Sequence, residues 1–465
     1  MPAMRSPLFK PRPLSGWVLA ALLASPSVQA LDLLKTWELA RAHDPQMQVV
    51  AATRSSVQAF EAQAKALWRP VLMGSATVGA MSADTRMQGA QFSAPGFGQS
   101  TGVSFATSAS AATSTRWSLQ AKQPLYSPER QAQQAQLNSA AGVAELRADL
   151  AQQQFMLLTA QRYFNLLLAE RQEQVLKNQY AAVSRSLTEA KDRFALGDLP
   201  VTDTHEAAAR AEGLKAQLLA AGSEVQMARS VLTDSTRLGA DALKPLSPKG
   251  DAAVTAVPAL AQVLEQVREA NRGVRLQKAQ QDVARQELRK HERSGGVTLD
   301  LVASAGRDRL SGDGDFGPST NSQSQQMVGL SLNVPLSTGG WRSAKLQEAV
   351  DAQARAAAEV DLAVQQAQQQ ARSVWLALET GPARLAALKA SWQASMARLD
   401  ATRLGRQVGD RTTLALLQAE NDAAQAELAW LRAQTELLLT RLQLDALTGS
   451  MSVQSLQALN AQLAP

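Results

Sequence analysis

"TRWSLQAKQPLY", residues 115–126, alternates with a period of two. Trp117, Leu119 and Ala121 fall on one side of an extended chain, and Arg116, Ser118, Gln120 and Lys122 fall on the other. Successive strand residues point to opposite faces, so the pattern predicts a strand with one dry face and one wet face. The chain around it reads as long helix rich in Ala, Gln and Leu. An amphipathic strand in that setting needs partners from elsewhere.

The chain supplies them by repeating itself. "GDLPVTDTHEAAARAEGLKAQLLAA" from Gly197 is echoed by "GDRTTLALLQAENDAAQAELAWLRA" from Gly409, an offset of 212 residues, with Arg193 and Arg406 near the two breaks. "QPLYS" (123–127) matches "VPLST" (334–338) at an offset of 211, and "VLMGSATVGAM" (71–81) matches "VTLDLVASAGR" (297–307) at 226. A register that changes only in a loop is the mark of a duplicated unit. Four strands are therefore predicted, at about 71–81, 114–125, 297–307 and 325–336, each near the length of a tilted membrane strand. Leu72, Ala76, Val78 and Ala80 form the dry face of the first; Leu299, Leu301 and Ala303 that of the third; Val328, Leu330 and Leu332 that of the fourth. The Gly-, Ser-, Ala- and Thr-rich segments 82–113 and 308–324 read as exposed loops, and Trp68, Tyr126 and Trp341 mark the opposite strand ends as an aromatic girdle.

Long helices follow each strand pair. From Arg130 to Leu199 there is no proline, and the stretch makes a rod of about 100 Å. Apolar residues recur at heptad spacing, as in Leu150, Leu157 and Phe164, but without one unbroken register, which points to helices packed in layers. The second long helix is expected over about 341–406, with "ETGPARL" (379–385) as an irregularity. The domain reading is a signal peptide at 1–30, a first repeat at 31–240, a linker at 241–258, a second repeat at 259–449 and a tail at 450–465 near the equator of the helical part. The signal-peptide expectation rests on Arg5, Lys10 and Arg12, the apolar run Leu14–Leu23 and the small-residue site before Leu31. Its removal lowers the formal charge from +6 to +3, which leaves no case for nucleic-acid binding.

The chain has no cysteine, which excludes a disulfide framework, a thiol redox site and a lipid anchor on an N-terminal cysteine. His43, His205 and His291 lie in unrelated contexts without a second ligand at helical spacing, so neither a metal nor another cofactor is expected. No nucleophile–base pair or phosphate loop stands out, and no enzyme is expected. "SGDGDFG" (311–317) lacks the rest of a calcium loop and reads as an exposed turn. No apolar run beyond the signal reaches the roughly 18–20 residues of a spanning helix. Four strands cannot close a barrel, and an open sheet edge is not tolerated in lipid. Three copies give twelve strands whose polar faces line a lumen. The fold class expected is α+β, a membrane protein with four β-strands per chain in a trimeric 12-stranded barrel above a long α-helical coiled-coil barrel. Arg116, Lys122, Asp300 and Asn333 are the lumen-facing candidates.

In order, spacing and duplication, "FALGDLPVTD" (194–203), "RQVGDRTTLALLQAENDAAQAEL" (406–428), "QPLYSPER", "VPLSTGGWR" and the tail at 437–463 resemble the TolC-like family of outer-membrane export channels. The resemblance covers essentially all of the chain after residue 30. It implies a homotrimer in the outer membrane with a large periplasmic tunnel, working with a periplasmic adaptor and an inner-membrane ABC or proton-driven transporter. It also implies that adaptors dock at the helical tips, here Leu196, Gly197, Val408 and Gly409; ordinary helix caps without a partner are the alternative. A network closing the periplasmic end is implied at Thr202, Asp203, Arg411 and Gln418, with Asp203 facing Arg411 across the coils; solvated tip charges are the alternative. Arg406 stands where the family has a tyrosine, and Ala415 and Gln418 stand where an aspartate ring is expected, so a strongly cation-selective ring is not implied there. Type I protein secretion is the preferred function, since many dedicated efflux channels carry the lipid anchor that this chain lacks. Drug or solute efflux is the alternative, and a secreted coiled-coil scaffold or adhesin without a pore is the remote one.

Overall fold

The computed structural model describes residues 31–96, 98–238, 243–246, 257–314 and 317–463. The signal-peptide reading and most of the linker lie outside these residues, as do positions 315–316 of "SGDGDFG".

The described chain runs helix, helix, strand, strand, long helix, helix, and then through the same order again. The first set is α1 (Leu33–His43), α2 (Pro45–Ala66), β1 (Val71–Ala94), β2 (Gly98–Tyr126), α3 (Pro128–Ala195) and α4 (Val201–Thr236). The second is α5 (Leu260–Ala270), α6 (Arg272–Arg293), β3 (Thr298–Gly314), β4 (Gly317–Asn333), α7 (Trp341–Gln407) and α8 (Thr413–Leu447), followed by α9 (Val453–Asn460). Helix starts follow capping chemistry. Asp32, Asp44, Ser127, Asn271 and Thr412 each accept a hydrogen bond from a backbone N–H of the first turn, and Pro45 and Pro128 open their helices with φ already set. At 68 and 67 residues, α3 and α7 each extend about 100 Å.

The strands differ from the sequence expectation in length. Segments 82–113 and 308–324, expected as loops, are almost wholly strand; β1 and β2 have 24 and 29 residues, and β3 and β4 have 17 each. Where water bathes both faces, a ladder needs no apolar alternation, so the periodicity fades although the hydrogen bonding continues. The two predicted pairs also join into one antiparallel sheet in the order β1-β2-β3-β4. Nor is α7 interrupted at 379–385, since Pro382 sits inside the helix. At the neighbouring Gly381 a Cβ would meet Leu437 Cδ1 at 2.5 Å, so glycine lets α8 approach there.

The core sits halfway along the rods, where the short helices wrap the long ones. One cluster gathers Leu33 and Trp37 of α1, Phe155, Tyr163 and Phe164 of α3, Leu232 of α4, Leu442 of α8 and Leu456 of α9. The other joins Val263 and Val267 of α5, Leu378 of α7, and Trp430 and Leu437 of α8. Tyr163 ties the first cluster to the chain ends. Its hydroxyl lies 3.1 Å from the Leu31 carbonyl and 2.9 Å from that of Lys244, and burial pushes its pKa well above the usual tyrosine range. Leu31 also bridges Leu243, and Leu246 bridges Leu463, so three distant segments form one strap. Toward the far end of the rods only thin seams remain, such as Val183, Ala211 and Leu417.

Candidate functional site

Register decides which strand residues share a face. Arg116 pairs Asp308, Gln120 pairs Ser304 and Pro124 pairs Asp300 between β2 and β3; Asp300 pairs Ser331 and Thr298 pairs Asn333 between β3 and β4. Arg116, Lys122, Asp300 and Asn333 therefore lie on one face of the sheet. Cross-strand ion pairs stitch that face: Arg116 Nε to Asp308 Oδ1 at 2.7 Å, and Lys122 Nζ to the buried Asp300 Oδ2 at 2.9 Å. Ser75 and Ser118 hydroxyls add a 2.8 Å hydrogen bond. Sequence reading missed Asp308 because its segment read as loop.

The opposite face is apolar beside the helices and bare. Leu72, Val78, Trp117, Leu119, Leu301, Val328, Leu330 and Leu332 are all exposed there, with Val328 at 76%. Among the described residues nothing of this chain packs on that face, and lipid is a medium in which such exposure costs nothing. Strands β1 and β4 are the sheet's two outer strands, each hydrogen-bonded on one side among the described residues.

At the far end of the rods, α3 and α7 stop in the same way. Gly197 has φ +80° and Gly409 has φ +82°. Gly197 N–H donates to the Phe194 carbonyl and Asp198 N–H to that of Arg193; Gly409 N–H donates to Arg406 and Asp410 N–H to Gly405. This pattern of one short and one long backbone bond around a left-handed residue turns the chain at once into α4 or α8. Leu196 and Val408, just before the glycines, are 78% and 74% exposed, and Phe194 and Leu404 are exposed beside them.

The two tips flank a cleft of about 540 Å³ whose lining includes Glu189, Arg193, Asp203, Glu206, Arg406 and Arg411. Asp203 and Arg411 are thus brought to one cleft, but no ion pair joins them among the described residues. Arg411 lies 3.8 Å from its neighbour Asp410, Thr202 Oγ1 donates to Asp203 Oδ1 at 3.4 Å, and Gln418 is exposed on α8. Within one chain the expected Asp203–Arg411 contact is not made, because the Arg411 side chain lies over the α7 terminus. A Cβ on Gly405 would meet Arg411 Cγ at 2.7 Å. The ion pair that does cross the cleft is Arg406 with Glu189, joining α7 to α3. Their separation of 217 residues left no local signal for it.

No group of His, Asp and Glu among the described residues is arranged to hold a metal, and no described helix is long and apolar enough to cross a membrane. Residues 263–450 match the family model described as outer membrane efflux protein. Over that stretch the chain is similar to the outer membrane efflux protein family. It is 26% identical over 452 residues to outer membrane protein TolC of Vibrio cholerae, covering 94% of this chain and 95% of that protein. It is also 26% identical over 421 residues to the proteases secretion protein PrtF of Dickeya chrysanthemi, covering 89% and 86%. Its fold superposes on the Campylobacter jejuni CmeC outer membrane channel with a TM-score of 0.69 at 14% identity, over 99% and 98% of the two chains. These relatives are named as outer membrane and secretion proteins and the structural neighbour as an outer membrane channel, and the chain shares that channel's fold.

Proposed function

We propose that three copies pair β1 of one with β4 of the next into a twelve-stranded barrel, each chain contributing two repeats of one strand–helix unit. The observation that carries this reading is the four-stranded sheet, with two open outer edges, one bare apolar face and one ion-paired polar face. Edge strands in lipid must be paired, and closure by copies satisfies every backbone group. The polar face with Arg116, Lys122, Asp300 and Asn333 lines the lumen. The α-helices continue it as a periplasmic tunnel.

The tunnel receives substrate from an inner-membrane transporter through a periplasmic adaptor. Leu196, Gly197, Val408 and Gly409 form the docking tips, where exposed apolar side chains sit on rigid turns. Asp203 and Arg411 act between copies to hold the end closed, with Thr202 and Gln418 beside them. If Asp203→Ala and Arg411→Ala trimers conduct in planar bilayers no better than the parent, this latch is wrong.

The cargo of this reading is a polypeptide exported by type I secretion, supported by the likeness to a protein named for protease secretion. Proteomics of the culture medium from a deletion strain against its parent tests it. Disappearance of one secreted protein is the expected result. An unchanged secretome with increased sensitivity to small toxic compounds favours drug or solute efflux instead, the reading that the family description supports.

A further inference from the structure

The apolar face of the sheet carries two arginines that the channel reading does not use. Arg307 and Arg309 of β3 pair in register with Trp117 and Thr115 of β2 on one side and with Ser324 and Ser322 of β4 on the other. Both are exposed, and neither reaches a carboxylate within ion-pairing distance among the described residues. Because β3 is an inner strand, its neighbours on this face belong to the same chain, and no second copy can slide a carboxylate between them. The next charged residue on this face of β3 is Asp313, about 13 Å beyond Arg309. By contrast, Arg116 on the other face has Asp308 directly opposite.

Height along the strand gives the pair its meaning. β3 leaves the helical end at Thr298, and Leu299, Leu301, Ala303 and Ala305 face outward before the arginines begin. From Leu299 to Arg307 and Arg309 the strand climbs about 26 Å and 33 Å. At a tilt near 40° this is about 20 Å and 25 Å along the membrane normal, the height of an outer-membrane apolar band. The arginines thus stand at the outer rim, beside a Trp of the kind that sits at headgroup level. Guanidinium forks flanked by Ser and Thr hydroxyls are suited to phosphate oxygens.

We propose that Arg307 and Arg309, with Thr115, Ser322 and Ser324, form a docking surface for a phosphate group on the glycolipid of the outer leaflet. The proposal rests on the reading that this face meets lipid. The lipid supplies the counter-charge that the described residues do not, and three copies place three such contacts around the barrel.

The test is native mass spectrometry of the full-length protein in detergent, titrated with bis-phosphorylated lipid A and with the same lipid after phosphate removal. The variants are Arg307→Gln/Arg309→Gln, Arg307→Lys/Arg309→Lys and, on the opposite face, Arg116→Gln. The glutamine pair is expected to weaken binding of the phosphorylated lipid on the order of tenfold, and the lysine pair to retain most of it. The parent is expected to bind the dephosphorylated lipid as weakly as the glutamine pair binds the phosphorylated one. Should the glutamine pair not assemble, the single Arg309→Gln carries the same comparison with about a threefold loss. Equal binding by parent and glutamine pair, with Arg116→Gln also neutral, overturns the site. Loss with Arg116→Gln alone overturns the assignment of the faces, which is a different failure.

Discussion

At the scale of single residues, the turning glycines are the most sharply constrained positions. Nothing lies within 4 Å of where a Cβ would stand at Gly197 or Gly409, so an alanine there meets only the backbone cost of a left-handed conformation. That cost is about 1–2 kcal/mol each. Gly197→Ala and Gly409→Ala are expected to lower the thermal midpoint modestly and about equally, with the helical circular dichroism unchanged. Glu287 on α6 is held by a different logic. Burial raises its pKa, but Lys290, at 2.7 Å, and His291, at 2.9 Å, outweigh that and leave it below the ordinary carboxylate range. A carboxylate lowered on folding contributes stability above its unfolded pKa and loses it as the pH falls through the folded one. Glu287→Gln is therefore expected to melt earlier than the parent at neutral pH, by less than about 1 kcal/mol because the group is still partly exposed and solvent screens the pair. The two melting curves should converge as the pH drops through the acidic carboxylate range; a gap constant with pH would refute the assignment.

At the scale of elements, the two faces of the strands make opposite predictions one residue apart. Val328→Arg puts a charge on the apolar face near mid-height and should cost about 2–4 kcal/mol, seen as loss of heat-stable barrel on a gel; Met327→Arg on the polar face should assemble normally. The faces were legible in the sequence because Leu330, Leu332, Trp117 and Leu119 alternate with polar residues. Above Met81 and Leu310 the strands run on through Gly, Ser and Thr, and neither face needs to be apolar, so only the ladder reveals them. The long helices were legible from the near absence of proline. Pro382 misled because one lost backbone bond in a 67-residue helix is outweighed by packing on both sides, including the contact of Leu437 at Gly381. The tips divide likewise. Their glycines announce themselves locally, whereas the Arg406–Glu189 pair and the position of Arg411 over Gly405 depend on how distant helices meet.

At the scale of the whole molecule, pairing between copies is the decisive question, and a chain without cysteine is a clean background for it. Ser75→Cys on β1, combined in turn with Gln325→Cys, Met327→Cys, Gly329→Cys or Ser331→Cys on β4, places both thiols on the polar face. One combination is expected to give dimers and trimers on oxidation, and its neighbours should not, because cross-strand disulfides demand a close approach of the Cα atoms. A panel giving only monomers would remove the barrel from the argument. The unequal strand lengths add something else. Pairing of β2 with β3 reaches Ser110 and Asp313, while β1 and β2 remain paired as far as Ala94 and Gly98. Roughly 35 Å of two-stranded ribbon therefore stands clear of the rest of the sheet. In the proposed barrel the ribbon stands beyond the outer rim, where an antibody or a phage would meet it before the mouth of the duct. Its turn can change sequence freely without touching the conduit below, so the molecule's visible identity and its working interior are free to evolve apart.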